Sequence, residues 1–447
     1  MSASLKNTFL KDGVTAPDAG CSLAAKLASV APRPVTLADT GLPATLLCDL
    51  LEKHLFEGGV LTLGALSRRM GMAGSLIEEL LNFMRQEGRT EVRPRSIEEQ
   101  GLRFGLTERG RQSAMDSLAR SGYIGPAPVP LDQYLLVSSK QTVRNRKVTR
   151  AQIEQLFAEV VVPPGMLERL GPSMNSGKAI FVYGHAGTGK TYLTQKLTGL
   201  FGDEVLIPHA IAVGDTIIQV FDASLHKAIG PGEPGLMLSD GHDPRYVACR
   251  RPVVITGGEL GPEMLEIQYD AATRQYRAPL QLKATNGVFI LDDLGRQRVA
   301  PEIVLNRWIV PMEEGRDYLS LGTGQHFSVL FDLVLIFSTN LDPLQLADEA
   351  FLRRIGYKLR FDPLEPLQYM EIWGQVCALN GVAHDPELSD YMIKEFHSRF
   401  SVPLLPCHPR DLIGIALDRA AYMGEEAGLS RDSLRWAWEN YFVRLDG

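Results

Sequence analysis

The stretch Gly184-His185-Ala186-Gly187-Thr188-Gly189-Lys190-Thr191 decides how this chain reads. It has the spacing Gly-x-x-x-x-Gly-Lys-[Ser/Thr], and each part has a physical task. The glycines let the backbone turn tightly enough for its N–H groups to point inward at phosphate oxygens. A helix starting near Lys190 adds the positive end of its dipole. The Lys190 ammonium then reaches the β- and γ-phosphates of a nucleotide, and the Thr191 hydroxyl ligates the accompanying Mg²⁺. The context agrees. Residues 179–183 are an apolar run suited to a buried strand, and Leu193, Leu197 and Leu200 give residues 192–200 an amphipathic helical period. His185 reads as a tolerated loop residue rather than a proton donor. Gly184, His185, Ala186, Gly187, Thr188, Gly189, Lys190, Thr191 and Tyr192 are the expected nucleotide-binding residues.

Outward from that loop, short apolar runs at 179–183, 204–207, 252–255, 287–291 and 333–337 alternate with longer segments. Runs that are apolar on both faces and bounded by Gly and Asp suit a parallel sheet covered by helices, so the expected class is α/β. The run Gly287-Val288-Phe289-Ile290-Leu291 ends in Asp292-Asp293. In such a sheet the last side chains of a strand stand at its carboxyl edge, beside the nucleotide. Asp292 is therefore expected to hold the Mg²⁺ shell, and Asp293 to orient or activate an attacking water. After Glu365 the strand-like runs stop and the chain reads as helical, with Trp373, Trp436 and Trp438 in its core.

At 447 residues the chain is long enough for more than one domain. An apolar fraction of 45% and a charged fraction of 22% are those of a globular protein. A net charge of −7 excludes a broad coat of nucleic acid and leaves a local basic patch open. Cys21, Cys48, Cys249, Cys377 and Cys407 are scattered without Cys-x-x-Cys spacing, which fits a reducing compartment and neither a disulfide framework nor a zinc site. No apolar run approaches the roughly 20 residues that span a bilayer. The start lacks the continuous apolar core of a signal peptide, and the expected location is the cytoplasm.

Residues 1–40, rich in Ala, Ser, Pro and Gly, read as a flexible arm. In residues 41–122, Leu46, Leu47, Leu50, Leu51 and Leu55 recur at helical spacing. A short helix over 62–70 ends near Gly71, and a third over 75–86 carries Leu76, Leu80, Leu81 and Met84 on one face. Two strand-like segments, 90–95 and 101–106, precede a helix opening at Thr107-Glu108-Arg109-Gly110-Arg111. This order resembles a winged helix, an α+β form of helix-turn-helix. Residues 123–158 read as a linker stiffened by Gly125, Pro126, Pro128 and Pro130. Its basic segment, Lys140, Arg144, Arg146, Lys147 and Arg150, is either a solvated connector or a contact for nucleic acid or nucleotide. Residues 159–363 form the nucleotide-binding core and 364–447 a helical domain.

Residues from about 160 to the end resemble the AAA+ ATPases, and within them the MoxR-like proteins and their relatives. Gly184 to Thr191 is similar to Walker A and Val288 to Asp293 to Walker B. Val334-Leu335-Ile336-Phe337-Ser338-Thr339-Asn340 looks like sensor 1, in which Asn340 helps place the water. Glu349-Ala350-Phe351-Leu352-Arg353-Arg354 is similar to the arginine-finger helix; spacing favours Arg354, with Arg353 second. Cys407-His408-Pro409-Arg410-Asp411 looks like the sensor 2 region of the helical lid, where Arg410 reaches the γ-phosphate of its own subunit. A hairpin over 317–330 sits where the MoxR-like clade has its pre-sensor-one hairpin, and a second over 265–280 precedes Walker B. Tyr269 and Tyr276 in the latter either pack the hairpin or grip a polypeptide. The resemblance implies ATP and Mg²⁺ as cofactors and a homo-oligomeric ring, a hexamer, because one protomer's finger meets its neighbour's γ-phosphate. The family commonly ends Walker B with Asp-Glu, whereas Asp292-Asp293 stands here, one methylene shorter.

The leading reading is an ATP-hydrolysing AAA+ protein that remodels a protein client. One alternative is a DNA-acting ATPase of the helicase-loader or transcription-regulator type, using the winged helix. Over residues 41–120 eleven Lys plus Arg balance eleven Asp plus Glu, and the expected recognition helix starts Ser75-Leu76-Ile77-Glu78-Glu79, with acids where phosphates would lie. Arg93, Arg95 and Arg103 on the wing keep DNA open; protein binding or dimerisation is the other use of such a module. A further alternative is a switch that binds ATP and hydrolyses it weakly, read out through its oligomeric state.

Overall fold

The computed structural model describes residues 23–93, 102–229 and 241–442. Its central sheet consists of β1 (Ile180–Gly184), β2 (Val253–Thr256), β3 (Val288–Leu291), β4 (Val334–Thr339) and β5 (Tyr357–Phe361), numbering only the strands of that sheet. All neighbours are parallel, in the order β2-β3-β4-β1-β5. Side chains alternate between the faces. Phe181, Phe289, Leu291, Leu335 and Phe337 pack one face with Trp308 and Phe351. Ile180, Val182, Val288, Ile290 and Ile336 pack the other with Leu170, Leu193 and Leu197. Burial on both sides is why these strands read as unbroken apolar runs.

Two strand expectations change. Glu204–Pro208 is a strand outside the central sheet, antiparallel to Tyr246–Arg250. Part of its free edge is occupied by a side chain: Leu206 N donates to Gln141 Oε1 and Gln141 Nε2 donates to Leu206 O. A short apolar run carries no signal for the partner it takes. The fifth central strand is instead β5, where Lys358 and Arg360 are exposed and Leu359 and Phe361 buried. Its half-polar alternation is that of a guarded edge strand.

Both expected hairpins form. Arg316–Ser320 pairs with His326–Leu330 directly before β4. Gln268–Asp270 pairs with Gln275–Arg277, with Tyr269 opposite Tyr276 and their ring centroids 4.7 Å apart. This second hairpin extends through Thr216–Gln219 and Ala210–Val213 to Val129–Pro130 as a five-stranded sheet. That sheet draws in the segment read as a linker. Leu131–Lys140 is a helix with Tyr134 and Val137 buried.

The helices Ala44–Gly58, Leu63–Met70, Gly74–Gln86 and Glu108–Arg120 form an N-terminal module with the short strands Leu61–Thr62, Arg103–Leu106 and Thr90–Arg93, paired in that order. Thr62 and Thr107 cap two of the helices by accepting from Ala65 N and Gly110 N. Residues 94–101 of the expected wing, Arg95 among them, lie outside the described residues. The module's core runs on into Tyr123, Ala210 and Ile217. Of the expected arm, residues 1–22 are outside the description; Leu23–Val30 is a helix, and Leu27 packs with Val129, Val137 and Tyr246. Buried Arg245 ties these pieces together, donating to Asp243, Thr40 O, Pro128 O and Gln133 Oε1.

The C-terminal part is helical: Pro366–Leu379, Pro386–Tyr391 running into Met392–Ser398, Cys407–Met423 and Arg431–Tyr441. Tyr369, Trp373, Leu412, Ile413 and Trp438 fill its core. Trp436, expected there as well, stays 38% exposed beneath the Arg419 guanidinium. No helix among the described residues is long and apolar enough to cross a membrane.

Candidate functional site

The phosphate-loop motif leaves the carboxyl end of β1. Gly184, Gly187 and Gly189 have φ of 143°, 80° and 84°, values that L side chains rarely adopt. A Cβ on Gly184 would stand 2.1 Å from Phe361 O of β5, and one on Gly187 would stand 2.6 Å from Cys407 Sγ of the lid. The loop is thus clamped between sheet and lid, and only glycine fits at those two approaches. Lys190 and Thr191 open the helix Lys190–Leu197. Lys190 is nearly buried and its ammonium donates to Gly184 O (2.9 Å) and His185 O (2.7 Å). Burial pushes its pKa down, opposed by the carboxylates of Asp292 and Asp293. Thr188 Oγ1 braces the loop by donating to His185 O. His185 and Ala186 are exposed on the loop, and Tyr192 is exposed beside Lys196.

Two neighbouring strand ends complete the site. Thr191 Oγ1 donates to Asp292 Oδ2 at 2.6 Å, bridging from the phosphate-loop helix to the end of β3. Asn340, the residue after β4, donates from Nδ2 to Asp293 Oδ1 at 2.9 Å. Lys190, Thr191, Asp292, Asp293 and Asn340 therefore converge on one edge of the sheet, from three strands far apart in sequence. A hydroxyl and a carboxylate at 2.6 Å are the hard oxygen donors that Mg²⁺ takes when phosphates and water supply its other ligands. The positive-φ glycine loop around a nearly buried ammonium fits a triphosphate. Among the described residues no cluster of three or more His, Cys, Asp or Glu side chains is placed to hold an ion by itself.

The arginines expected to act on the γ-phosphate lie apart from this cluster. Arg410 is on the helix Cys407–Met423, whose first residue touches Gly187; its side chain is exposed and donates to Asp411 Oδ1. Arg354 is ion-paired to Glu313 and donates to Ala350 O, both in its own chain. Arg353 is 75% exposed and meets only the equally exposed Glu349 in a one-turn surface pair. The geometry thus leaves Arg353 freer than Arg354.

Sequence reasoning passed over Gln297 and Thr256, and it placed Cys407 in the sensor 2 segment without its contact with the phosphate loop. Gln297 binds the backbone of the turn after Asp293, Thr256 O accepts from Asp292 N, and Cys407 abuts the loop. No pattern marks them, because each depends on a turn or a contact distant in sequence. A cavity of about 540 Å³ lies between the helices Arg150–Leu156 and Met166–Asn175, lined by Val148, Ile153, Val162 and Leu167; the phosphate-loop residues do not line it.

A parallel sheet in the order β2-β3-β4-β1-β5, with a glycine loop leaving β1 and paired carboxylates leaving β3, is an α/β P-loop NTPase core, followed here by a helical lid. A family profile described as "Domain of unknown function (DUF8689)" matches residues 365–440, within that lid. No curated protein matches the chain. Among solved structures, the RuvB Holliday junction branch migration motor of Thermotoga maritima is 12% identical with a TM-score of 0.35, covering 70% of this chain and 72% of that one. NtrX from Brucella abortus is 10% identical with a TM-score of 0.36, covering 72% and 59%. The fold rests on the sheet order and the loop it carries.

Proposed function

We propose that this chain is a cytoplasmic AAA+ ATPase that assembles as a homo-oligomeric ring, a hexamer, and uses Mg·ATP hydrolysis to remodel a protein client. The observation that carries the proposal is the Thr191–Asp292 hydrogen bond beside Lys190, which joins the phosphate loop to the acidic strand end. In this reading the loop amides and Lys190 bind the β- and γ-phosphates, and Thr191 with Asp292 holds Mg²⁺. Asp293 and Asn340 place the water, Arg410 senses the γ-phosphate, and an arginine of the finger helix reaches the neighbouring protomer's nucleotide. Hydrolysis removes charge and contacts at the γ-phosphate, and the lid, which touches the loop through Cys407, responds. The hairpin directly before β4 supports the finer placement with the pre-sensor-one hairpin clade.

The structure's charge distribution favours a protein client over DNA. On the helix Gly74–Gln86 the exposed positions include Glu78 and Glu79 beside a half-exposed Phe83, a surface that repels phosphates. In the basic segment, Arg144 pairs with Asp332, Arg146 with Asp203 and Arg150 with Glu154, while Lys140 donates to Ser29 O and Val30 O. Four of the five cations of the segment thus have partners within the chain. Phosphate release by wild type and Asp293→Asn tests the proposal. Turnover should fall by about 100-fold or more when the water-orienting carboxylate is lost. Equal rates would remove Asp293 from the chemistry, and DNA that stimulates turnover in a salt-dependent way would move the client from protein to DNA.

A further inference from the structure

The chain at the paired carboxylates leaves regular strand geometry. Leu291 of β3 stands level with Phe337 of β4. Beyond it, Asp292 N donates to Thr256 O at the end of β2 (2.8 Å), whereas Leu294 N donates to Ser338 O of β4 (2.8 Å). Asp292 and Asp293 thus make a two-residue excursion while β4 advances by one residue. Asp293 closes it in the left-handed region, at φ 50°. Aspartate tolerates that conformation better than most residues, yet it must be held there by its surroundings.

Gln297 supplies the hold. Its Oε1 accepts from Gly295 N (2.8 Å), and its Nε2 donates to Asp293 O (3.3 Å) and to Gly257 O in the loop after β2 (3.2 Å). Arg296 N also donates to Asp293 O, at 3.0 Å. One side chain therefore fastens the turn where it leaves Asp293, at the Asp293 carbonyl and the Gly295 amide, and ties it to the neighbouring strand end. The carboxylate at the apex of that turn is the one that Asn340 meets at 2.9 Å.

We propose that Gln297 is a positioning residue: its amide holds Asp293 in the left-handed turn, and the turn gives the short aspartate the reach that its side chain lacks. The assignment rests on the reading of Asp293 as the group that orients the attacking water. Gln297 touches no reacting atom and acts only through the main chain around Asp293.

The test is a double-mutant cycle on phosphate release, with fluorescent ATP-analogue binding measured alongside. Gln297→Ala, and Gln297→Met which keeps the bulk, should lower kcat by about 10–100-fold while the nucleotide affinity stays within about threefold of wild type. In the Asp293→Asn background the same substitutions should change kcat by less than about twofold, because the carboxylate they position is already gone. A residue that only stabilises the fold would give the same loss in both backgrounds, together with weaker binding, and that result overturns the assignment. So does a Gln297→Met protein with wild-type kcat. A wild-type protein that releases no phosphate overturns the ATPase reading itself, and this assignment with it.

Discussion

A methyl group added at Gly187 tests how the lid reports on the phosphate loop. Gly187 has φ 80°, and a Cβ there would stand 2.6 Å from Cys407 Sγ and 3.5 Å from Leu405 Cδ1. Two costs follow in Gly187→Ala. A residue with a Cβ in the left-handed region costs about 1–2 kcal/mol. Forcing a methyl into a closed contact costs about 1–3 kcal/mol more. The sum, about 2–5 kcal/mol, is an upper bound, because the loop relieves part of it by moving. Moving is itself the damage, since the amides then no longer converge on one phosphate. With tenfold in affinity for each 1.4 kcal/mol, fluorescent ATP-analogue binding should weaken by about 10–100-fold. Gly187→Ala combined with Cys407→Ala removes the steric part and leaves the conformational part, so about five- to tenfold of the loss should return. Wild-type affinity in Gly187→Ala would refute the reasoning. So would a double mutant as weak as the single one, which would show that Cys407 does not bear on the loop.

The lid should loosen in mild acid. Burial holds His397 and His408 down to about 4, with the charge of His397 lowering His408 further. Between the ordinary value of 6.5 and about 4 the unfolded chain binds protons that the folded lid refuses, so stability falls as pH drops through that window. The loss at pH 4 should be about 2–3 kcal/mol per ring at most, and calorimetric scans with a flat lid transition from pH 7 to 4.5 would contradict it. Arg245, 1% exposed, should be among the costliest single positions outside the site. Arg245→Met strands the buried Asp243 carboxylate, with about 3–5 kcal/mol expected from denaturant midpoints, and a loss under about 1 kcal/mol would show that it ties nothing together. Between the two finger candidates, Arg353→Ala should lower kcat without changing nucleotide affinity or melting temperature. Arg354→Ala should mainly loosen its contact with Glu313, and a selective kcat loss in Arg354→Ala alone would reverse the assignment.

What could be read ahead of the structure follows from where the information lies. The phosphate loop, the strand before it and the acidic end of β3 are short, local patterns whose chemistry needs those residue types at that spacing. They carried the fold class and pointed to the residues that meet at the sheet edge. β5 escaped because its Tyr-Lys-Leu-Arg-Phe alternation is that of an exposed edge, weaker than the buried runs beside it. The partner of Glu204–Pro208 escaped because a neighbouring strand and the Gln141 side chain meet the same backbone demand equally well. The segment at 123–158 looked like a linker from its prolines, yet Val129–Pro130 pairs with Ile211 and Ala212, so burial overrode composition. The role of Gln297 and the loop contact of Cys407 were invisible for a related reason. One is defined by a left-handed turn, the other by a lid contact across more than two hundred residues, and neither leaves a local trace.

The most direct test of the central claim is a titration of Mg·ATP into purified full-length protein and its Lys190→Ala variant, followed by calorimetry. The ammonium nearly buried in the glycine loop, at 2.7 Å from His185 O, is the single full positive charge the loop offers a triphosphate. Its removal should weaken binding by about 30-fold or more, in line with the roughly 2–5 kcal/mol lost when one partner of a buried charge pair is truncated. Equal affinity in the two proteins, or no binding to the wild type, would contradict the account.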